Sequence, residues 1–346
     1  MEIVLLSDSP VQGSALEEPG VGGSQYAAIN LMRALVRRGH RTTIVSPGVQ
    51  DAVDHGVDYK NRQTTSLHCS AADILIHFRR VQSYSLIKQI PTRHILWTTD
   101  VPHSGFPPVD FSKLYKVICI SAFQKRMMLA FYKDLAESSI VVLEHGIMAE
   151  EYFTGKVVEN LNNKLNELIY CSVPGRGLQY LPRLYHRIAE RVPTISLNIT
   201  SDYSLWGRSE GTEPFRPLFK NLPNVNYYGK VPRKTLVSLQ KRAKVMAYPC
   251  EYAEGFCISA LECIAAGTVP VSSEHGALSE TIGDDGILIS GCPGQSTYDE
   301  AFIESVVRLV TDDDYRIKMA LQGISRVYSR NTWDIIAAQF EQFIIN

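Results

Sequence analysis

The sequence predicts an α/β protein with two doubly wound domains, each built on a parallel sheet. Short apolar runs alternate with helical patterns along the chain, which is typical of parallel strands joined by helical crossovers. A polar, Asn-rich stretch at 154–166 interrupts this alternation and is interpreted as a linker or loop. The length of 346 residues also favours two domains, because a domain usually has about 100–200 residues.

The first half of the chain begins with the apolar run EIVLLS (2–7), which we interpret as a buried strand. A helix is predicted at about 24–38, where apolar residues recur at spacings of three and four, and Gly39 is a favourable cap at its end. Continuous apolar runs are typical of parallel strands that are covered on both faces. Such runs predict further strands at 41–47, 72–78, 94–100, 116–121 and 139–146, and a helix lies at about 121–133.

The second half repeats the pattern and predicts a domain at 151–331, after a first domain at 1–150. Strands are predicted at 167–173, 194–200, 225–231, 244–250, 268–273 and 286–290, and helices at 177–191, 232–242, about 256–266, about 297–311 and about 332–345. The last helix, about 332–346, is expected to pack back on the first domain. Ligands of such sheets bind beyond the carboxyl ends of the strands, so we expect the site in a cleft between two facing domains.

Composition and charge narrow the class of protein. A net charge of −1 provides no global field that would attract nucleic acid. The seven cysteines include no C-x-x-C pair, which favours reduced, mostly buried thiols over a disulfide or zinc framework. The start MEIVLLSDSP has an acidic residue and only a short apolar run, so it is interpreted as a strand and not as a signal peptide. No uncharged apolar run approaches the roughly 20 residues of a membrane helix, and we expect a cytoplasmic protein without a transmembrane segment.

The stretch EGFCISALECIAAGTVPV (254–271) contains two glutamates at the start of an apolar helix. Glu254 lies in the loop before the helix, where the interaction of an acid with the positive end of the helix dipole stabilises the protein by roughly 0.3–1 kcal/mol. Glu262 lies inside the helix among apolar residues, where a carboxylate needs hydroxyl or N–H donors, and a ribose diol would supply two. The free N–H groups at the helix start form an anion site. The combination suggests a ligand with hydroxyls at both ends and phosphates in the middle, which is the shape of a nucleotide sugar.

The longer segment EGFCISALECIAAGTVPVSSEHGALSETIGDDGILI resembles the donor-binding signature of family 4 glycosyltransferases. In that family a Glu, seven residues and a second Glu precede a small-residue helix, Gly-x-Pro-Val and a Gly/Glu segment. The matching positions are Glu254, Glu262, Gly267, Pro270, Val271, Gly276, Glu280 and Gly286. Three further segments are similar to other parts of the family. They are VNYYGKVPRKTLVSLQKRAKVMAYPC before the signature, GVGGSQYAAINLMRALVRRGHRTTIVSP near the start and LEHGIMAEEYF at the hinge.

This resemblance implies the GT-B fold, in which two Rossmann-like domains face one another across a cleft. The N-terminal domain would bind the acceptor and the C-terminal domain the donor. The implied reaction is retaining transfer of a sugar from a nucleoside-diphosphate sugar to a hydroxyl acceptor, which is a glycan, a lipid or a small molecule. It requires no metal and no further cofactor, and the departing diphosphate helps to deprotonate the acceptor. The acidic triplet Asp312-Asp313-Asp314 is interpreted as helix capping.

The resemblance also implies roles for residues of the donor site. Glu254 would hold hydroxyls of the donor sugar, and Glu262 the ribose hydroxyls. Arg176 is the candidate cation for the phosphates, with capping of the preceding strand as the alternative, and Lys230 is a weaker candidate. The backbone of Lys230 and Val231 would line the base. The remaining donor-binding candidates are glycines and helix-start residues, namely Gly22, Gly23, Gly255, Phe256, Cys257 and Ile258.

The sequence departs from the family pattern at three places. Only Arg176 is basic where a basic pair is usual, and Phe256-Cys257 replaces the frequent Phe-Gly, so that a side chain is expected to crowd the sugar. Thr99 occupies the position of a histidine that often lies near the reacting carbon. Asp100 and His103 are therefore candidates to orient the sugar or the acceptor, and a polar loop is the alternative interpretation.

Other functions stay open at this point. An NAD-dependent oxidoreductase would use the loop at Gly20 to Gly23, but G-x-G-x-x-G is absent. A GT-B sugar epimerase would need catalytic acids that the sequence does not reveal. A GT-B scaffold without catalysis, binding a sugar or a protein, is the third alternative. The helix at about 121–133 mixes basic and apolar residues and leaves peripheral membrane contact open, although a half-buried surface helix is favoured.

Overall fold

The computed structural model describes residues 1–17, 20–62, 69, 71–80, 90, 92–103, 109–152, 155–206, 209 and 214–345. These residues form two compact units. Unit 1 comprises Met1–Ala15, Gly23–Gly146 and Trp333–Asn346, and unit 2 comprises Leu16–Gly22 and Ile147–Thr332. Within the described ranges, no helix combines the length and low charge needed to cross a bilayer.

Unit 1 is built on a sheet in which eight strands are described. The strands are β1 (Glu2–Leu6), β2 (Arg41–Ser46), β3 (Ala52–Asp54), β4 (Val57–Asn61), β5 (Ile74–Phe78), β6 (Arg93–Trp97), β7 (Lys116–Cys119) and β8 (Ile140–Val142), with helices α1 (Gly23–Arg37) and α2 (Ala122–Phe131). Their order in the sheet is β3-β4-β2-β1-β5-β6-β7-β8. All neighbours are parallel except β3 and β4, which form an antiparallel edge.

Unit 2 contains a second sheet, in which six strands are described and all neighbours are parallel. Its helices and strands are α3 (Ala149–Tyr152), α4 (Val157–Asn162), β9 (Leu165–Tyr170), α5 (Leu181–Arg191), β10 (Ser196–Ile199), β11 (Val225–Tyr227), α6 (Arg233–Arg242), β12 (Ala243–Tyr248), α7 (Ile258–Ala265), β13 (Val269–Ser273), α8 (Leu278–Thr281), β14 (Ile287–Ile289), α9 (Ser296–Thr311) and α10 (Asp313–Arg330). The strand order is β11-β10-β9-β12-β13-β14.

The final helix, α11 (Trp333–Phe340), belongs to unit 1 and packs against α1. The rings of Tyr26 and Trp333 meet edge to face with centroids 6.2 Å apart. A short π-helix at Glu341–Ile345 follows.

The predicted α/β class is confirmed, because both sheets are parallel apart from one edge. Gly39 follows α1 with a φ of +88°, as its predicted capping role requires. The capping interpretation of the acidic triplet is also confirmed for Asp312, whose side chain accepts a hydrogen bond from the N–H of Tyr315.

Three details of the predicted organisation were wrong. The stretch interpreted as a linker contains the helix α4, because Leu161 packs into the core of unit 2 with 1% of its surface exposed. Residue 154 of that stretch lies outside the described residues. The chain closes with three helices and not two, since α10 occupies 313–330. The edge strands β3 and β4 were not predicted, because they are short and polar.

In unit 2 the chain winds outward from β9 to one edge of the sheet, returns to β12 beside β9, and then winds to the other edge. The loops after β9 and β12 therefore leave the sheet in opposite directions and open a crevice at their carboxyl ends. Such a switch point is where parallel α/β sheets bind their ligands.

Candidate functional site

An ion pair between a half-buried arginine and a buried carboxylate joins the two loops at the switch point of unit 2. Arg176 ends a 3₁₀ turn at Pro174–Arg176, just after β9, and Glu254 lies in the loop after β12. The Nη1 of Arg176 donates to both carboxylate oxygens of Glu254, at 2.8 and 2.9 Å. The two residues are 78 positions apart in sequence. The fold thus brings the predicted phosphate cation into direct contact with the predicted sugar-binding carboxylate.

Glu254 is held from a second side by Tyr248, the last residue of β12. Its hydroxyl donates to Oε1 of Glu254 at 2.5 Å, and the carboxylate side chain is only 3% exposed. Burial lowers the pKa of Arg176, but Glu254 and three weaker neighbours, Tyr248, Cys257 and Tyr252, together raise that pKa above its ordinary value. The Nε of Arg176 is buried without a hydrogen-bond partner, and the guanidinium stacks on Tyr252 at 4.7 Å from the ring centre.

Two glycines allow the neighbouring loops to close around this pair. Gly177 has a φ of +113°, and a Cβ there would lie 1.9 Å from the carbonyl oxygen of Pro249. Gly276 has a φ of +61°, and a Cβ there would lie 2.5 Å from the backbone of Glu254. Only a residue without a side chain fits such approaches. The motif glycine at 276 therefore has a steric reason, which is to let the following loop pack on Glu254.

The start of α7 has free backbone donors and a strained first residue. Cys257 is the N-cap residue, and no side chain caps the helix. The N–H groups of Ala260 and Leu261 donate to the carbonyl of Cys257, at 3.1 and 3.3 Å, so those of Ile258 and Ser259 are left for an anion. Cys257 has a φ of +79° and a ψ of +74°, in the left-handed region that favours glycine. Its side chain packs in the buried core of unit 2.

Glu262 forms a second ion pair, with Arg233 at the start of α6. The Nη1 of Arg233 lies 2.7 Å from Oε1 of Glu262, and the two side chains are 11% and 4% exposed. The other carboxylate oxygen has only a 3.5 Å contact with Nε2 of Gln240. Burial raises the pKa of Glu262, Arg233 lowers it, and Glu151 raises it. A carboxylate has about four acceptor sites, so most of those on Glu262 are unfilled.

The predicted base-binding loop follows β11 and contacts the glycine-containing segment of the same unit. The N–H of Gly20 donates to the carbonyl of Val231 at 3.0 Å. Lys230 and Gly22 are partly exposed. The structure therefore places Gly22 within the segment that lies on this loop.

A cavity of about 780 Å³ lies beside α6 in unit 2. Neither Glu254 nor Arg176 lines it, so it is separate from the ion pair at the switch point. Its lining residues, which come from α3, α4, α6 and α10 among other segments, include Tyr152, Leu161, Arg233, Lys241 and Tyr328.

The remaining candidates belong to unit 1. Asp100 accepts two hydrogen bonds from the guanidinium of Arg79, at 2.8 and 3.1 Å, and both side chains are about one-third exposed. The hydroxyl oxygens of Thr99 and Ser24 are 3.1 Å apart. His103 is exposed, and residues 104–108 of the same segment lie outside the described residues. Gly23 is the first residue of α1.

Sequence reasoning missed the partners of the two glutamates. The sequence pattern places Tyr248 in a strand and Arg233 in a helix and assigns neither a role in the site. A signal for Arg233 existed, because a buried carboxylate requires a cation and Arg233 starts the helix directly before β12. Nothing in the spacing singled it out among the other basic residues of that helix.

Solved structures that are similar over nearly the whole chain define the class of fold. Sucrose-phosphate synthase from Thermosynechococcus elongatus matches with a TM-score of 0.74 and 18% identity, over 99% of this chain and 97% of that chain. HepE from Anabaena, solved in complex with UDP-glucose, matches with a TM-score of 0.74 and 13% identity, over 100% of this chain and 99% of that chain. The chain has the GT-B fold, as the sequence predicted.

A known family model matches part of unit 2. Residues 206–326 match the family model described as "Glycosyl transferases group 1". Lipopolysaccharide 1,2-N-acetylglucosaminetransferase from Salmonella typhimurium is 24% identical over 261 residues, which are 70% of this chain and 65% of that protein. The chain spans between about half and two thirds of the length of the curated relatives it matches. The predicted resemblance to glycosyltransferases is thereby confirmed.

Proposed function

We propose that the chain is a retaining glycosyltransferase that moves a sugar from a nucleoside-diphosphate sugar to a hydroxyl group of a glycan, a lipid or a small molecule. One observation carries the proposal. Two buried carboxylates, Glu254 and Glu262, flank the uncapped start of α7 in the unit that the group 1 family model matches in part. The two carboxylates can accept hydrogen bonds from hydroxyl groups at both ends of a ligand, and the backbone N–H groups between them can donate to its phosphates. This matches the chemistry of a nucleotide sugar. The neighbour HepE, which was solved with UDP-glucose, supports a donor of this class.

Each carboxylate has room for hydroxyl donors. Glu254 already accepts two bonds at Oε1 and one at Oε2, so one acceptor site on Oε2 is left for a hydroxyl of the donor sugar. Glu262 has more unfilled acceptor sites and would bind the two ribose hydroxyls. The backbone of Lys230 and Val231 would then line the base.

Arg176 and the start of α7 would bind the diphosphate. The Nε of Arg176 has no partner, so this donor can turn to a phosphate oxygen while Nη1 holds Glu254. The first N–H groups of α7, together with the backbone of Gly255, Phe256 and Cys257, would add hydrogen bonds from the other side. Gly22 and Gly23 would let their loop approach the same group. Fixed donors of this kind stabilise the charge that develops on a leaving group.

The bond changes in this reaction need no protein nucleophile. The bond from the anomeric carbon to the diphosphate oxygen breaks, and its electron pair stays on the diphosphate. The acceptor oxygen bonds to the same face of the sugar, and its proton passes to a leaving phosphate oxygen. Asp100 and His103 are proposed to orient the sugar or the acceptor. No bound metal is needed in this proposal, because a guanidinium and aimed amides take up the leaving-group charge.

We also propose a cytoplasmic location. All seven cysteines are free, and five of them are buried, which agrees with a reducing compartment.

Nucleotide binding is the first test of the proposed function. Among UDP, GDP and ADP, one nucleoside diphosphate should raise the melting temperature, and NAD should not. At 100 times its dissociation constant, a ligand adds about 2.7 kcal/mol to the free energy of unfolding. If none of the three diphosphates stabilises the protein, the proposal is wrong.

Donor hydrolysis is the second test and separates an enzyme from an inactive scaffold. The matching nucleotide sugar should be hydrolysed slowly without acceptor, and Glu262→Ala should reduce this rate by more than about 100-fold. Glu304→Ala is the matched control, because that glutamate is 64% exposed on α9 and should leave the rate unchanged. Nucleotide binding without any turnover would instead identify a sugar-binding scaffold.

A further inference from the structure

Arg233 lies between two carboxylates that come from different helices. Its Nη1 is 2.7 Å from Glu262 on α7, and its Nη2 is 2.6 Å from Oε2 of Glu151 on α3. The Nε of Arg233 also donates to Glu151, at 3.1 and 3.2 Å. The guanidinium of Arg233 therefore binds both Glu262, the proposed ribose carboxylate, and Glu151 on α3.

Hydrogen bonds through two further side chains close a ring around Glu262. Arg233 donates from Nη2 to the hydroxyl of Tyr152 at 2.9 Å, and this hydroxyl donates to Oε1 of Gln240 at 2.9 Å. The amide nitrogen of Gln240 returns to Glu262 at 3.5 Å. Every member of the ring lies in unit 2, and the ring determines where the carboxylate of Glu262 points.

The ionisation of Glu262 depends on this single cation. Burial raises its pKa and the neighbouring Glu151 raises it further, while Arg233 opposes both. The thiol of Cys263, the next residue of α7, keeps its proton because burial raises its pKa well above the ordinary value. Gln240 is neutral. Of the groups that act on Glu262, Arg233 alone favours the charged form by its own charge.

We propose that Arg233 is a positioning residue for nucleotide binding, which keeps Glu262 ionised and oriented so that both of its oxygens can accept the ribose hydroxyls. This inference rests on the proposed function, because it assigns a task to the same donor site. Arg233 acts through Glu262 and does not itself touch the reacting atoms. Lys and Arg are not equivalent here, since only a planar fork reaches both carboxylates at once.

The test compares the pH dependence of nucleotide affinity between variants. The dissociation constant of the preferred nucleoside diphosphate is measured by calorimetry from pH 6.0 to 8.5. In the wild type, protonation of Glu262 should contribute little to its pH dependence. In Arg233→Met, Glu262 binds a proton in this range, so affinity should be at least about tenfold weaker at pH 6.0 and recover toward pH 8.5. Arg233→Lys restores the charge but not the fork and should remove the pH dependence while leaving affinity a few-fold weaker, about twofold to fivefold.

Two controls establish that the effect passes through Glu262. Adding Glu262→Gln to Arg233→Met should abolish the pH dependence and weaken binding no more than Glu262→Gln alone. Lys234→Met changes the next residue of α6, which is exposed, and should bind as the wild type does.

The outcomes separate this inference from the proposed function. A wild type that binds no nucleoside diphosphate overturns both. A wild type that binds, combined with an Arg233→Met variant of equal affinity and equal pH profile, overturns the positioning role alone. If Arg233→Met fails to fold, Arg233→Lys and Glu151→Gln decide, because Glu151→Gln removes the competing charge and should leave affinity intact at pH 6.0. A loss of affinity in Glu151→Gln at pH 6.0 as large as that expected for Arg233→Met would contradict the proposal.

Discussion

Units 1 and 2 each contain a doubly wound parallel sheet, but the ion pairs at their switch points differ in burial. In unit 1 the switch lies between β1 and β5, and the residue after β5, Arg79, pairs with Asp100 while both side chains stay about one-third exposed. In unit 2 the switch lies between β9 and β12, and Arg176 pairs with Glu254, whose side chain is 3% exposed. The two arginines are 34% and 26% exposed, so the difference lies in the carboxylates, one solvated and the other buried.

Unit 1 also buries histidines, among them His77 and His145. His77 on β5 stacks on His94 of β6 with ring centres 5.4 Å apart, and His145 lies between Trp97 and Trp333. Burial lowers the pKa of His77 and of His145 to about 3, with His94 adding to the effect on His77. These imidazoles are neutral packing groups. Because a buried charge is costly and a neutral imidazole is not, the carboxylate of Glu254 depends on its cation in a way that these histidines do not.

The largest expected effect comes from breaking the pair of Arg176 and Glu254 in unit 2. Arg176→Met leaves Glu254 buried without its cation and should lower the free energy of unfolding of unit 2 by about 3–5 kcal/mol. Arg79→Met breaks the solvated pair of unit 1 and should cost less than about 1 kcal/mol there. Urea unfolding followed by hydrogen exchange, read for peptides of each unit, measures both. Equal losses of unfolding free energy in the two variants would contradict the expected difference between the two ion pairs. Adding Glu254→Gln to Arg176→Met should recover part of the loss.

The second effect is acid destabilisation of unit 1. The folded-state pKa of about 3 for His77 and His145 lies below the ordinary value of about 6.5, so unfolded chains bind the protons first. The stability that depends on them is complete above pH 6.5 and is lost as the pH falls toward 3. At pH 5 each histidine should cost unit 1 about 2 kcal/mol relative to pH 7.

Tryptophan fluorescence measures this loss in a Trp206→Phe background, because the two remaining tryptophans, Trp97 and Trp333, are both buried in unit 1. The double variant His77→Asn, His145→Asn should show a flatter pH dependence. The histidines of unit 2, His186 and His275, are not buried. Hydrogen exchange of peptides from each unit compares the two, and a steeper acid loss in unit 2 than in unit 1 would contradict the assignment.

The smallest expected effect concerns strain at the start of α7. Cys257 adopts a left-handed conformation, which costs an L-residue roughly 1–2 kcal/mol and a β-branched residue more. Cys257→Val should destabilise unit 2 by about 1–2 kcal/mol, whereas Cys257→Gly should stay within about 1 kcal/mol of the wild type. Thermal unfolding of the pair checks this expectation. If valine is tolerated as well as glycine, the helix start is not strained.

Local patterns in the sequence predicted the regular elements well where burial is on both faces. The apolar runs at β1, β5 and β12 are continuous, because helices cover both sides of a parallel sheet. The hairpin of β3 and β4 escaped prediction, since its residues alternate between polar and apolar over only a few positions. The helix α4 was missed for a related reason, because Leu161 is its only buried residue.

The sequence by itself determined the two α/β units, a helix predicted to start at about 256, and the positions of Glu254 and Glu262 around that start. These features depend on periodicity and spacing within one element, which neighbouring residues decide. Only the tertiary structure decided that Arg176 holds Glu254 across 78 positions and that Arg233 holds Glu262 together with Glu151. The physical reason is that such pairs form where the carboxyl ends of strands and the starts of crossover helices converge, and the sheet order sets that convergence.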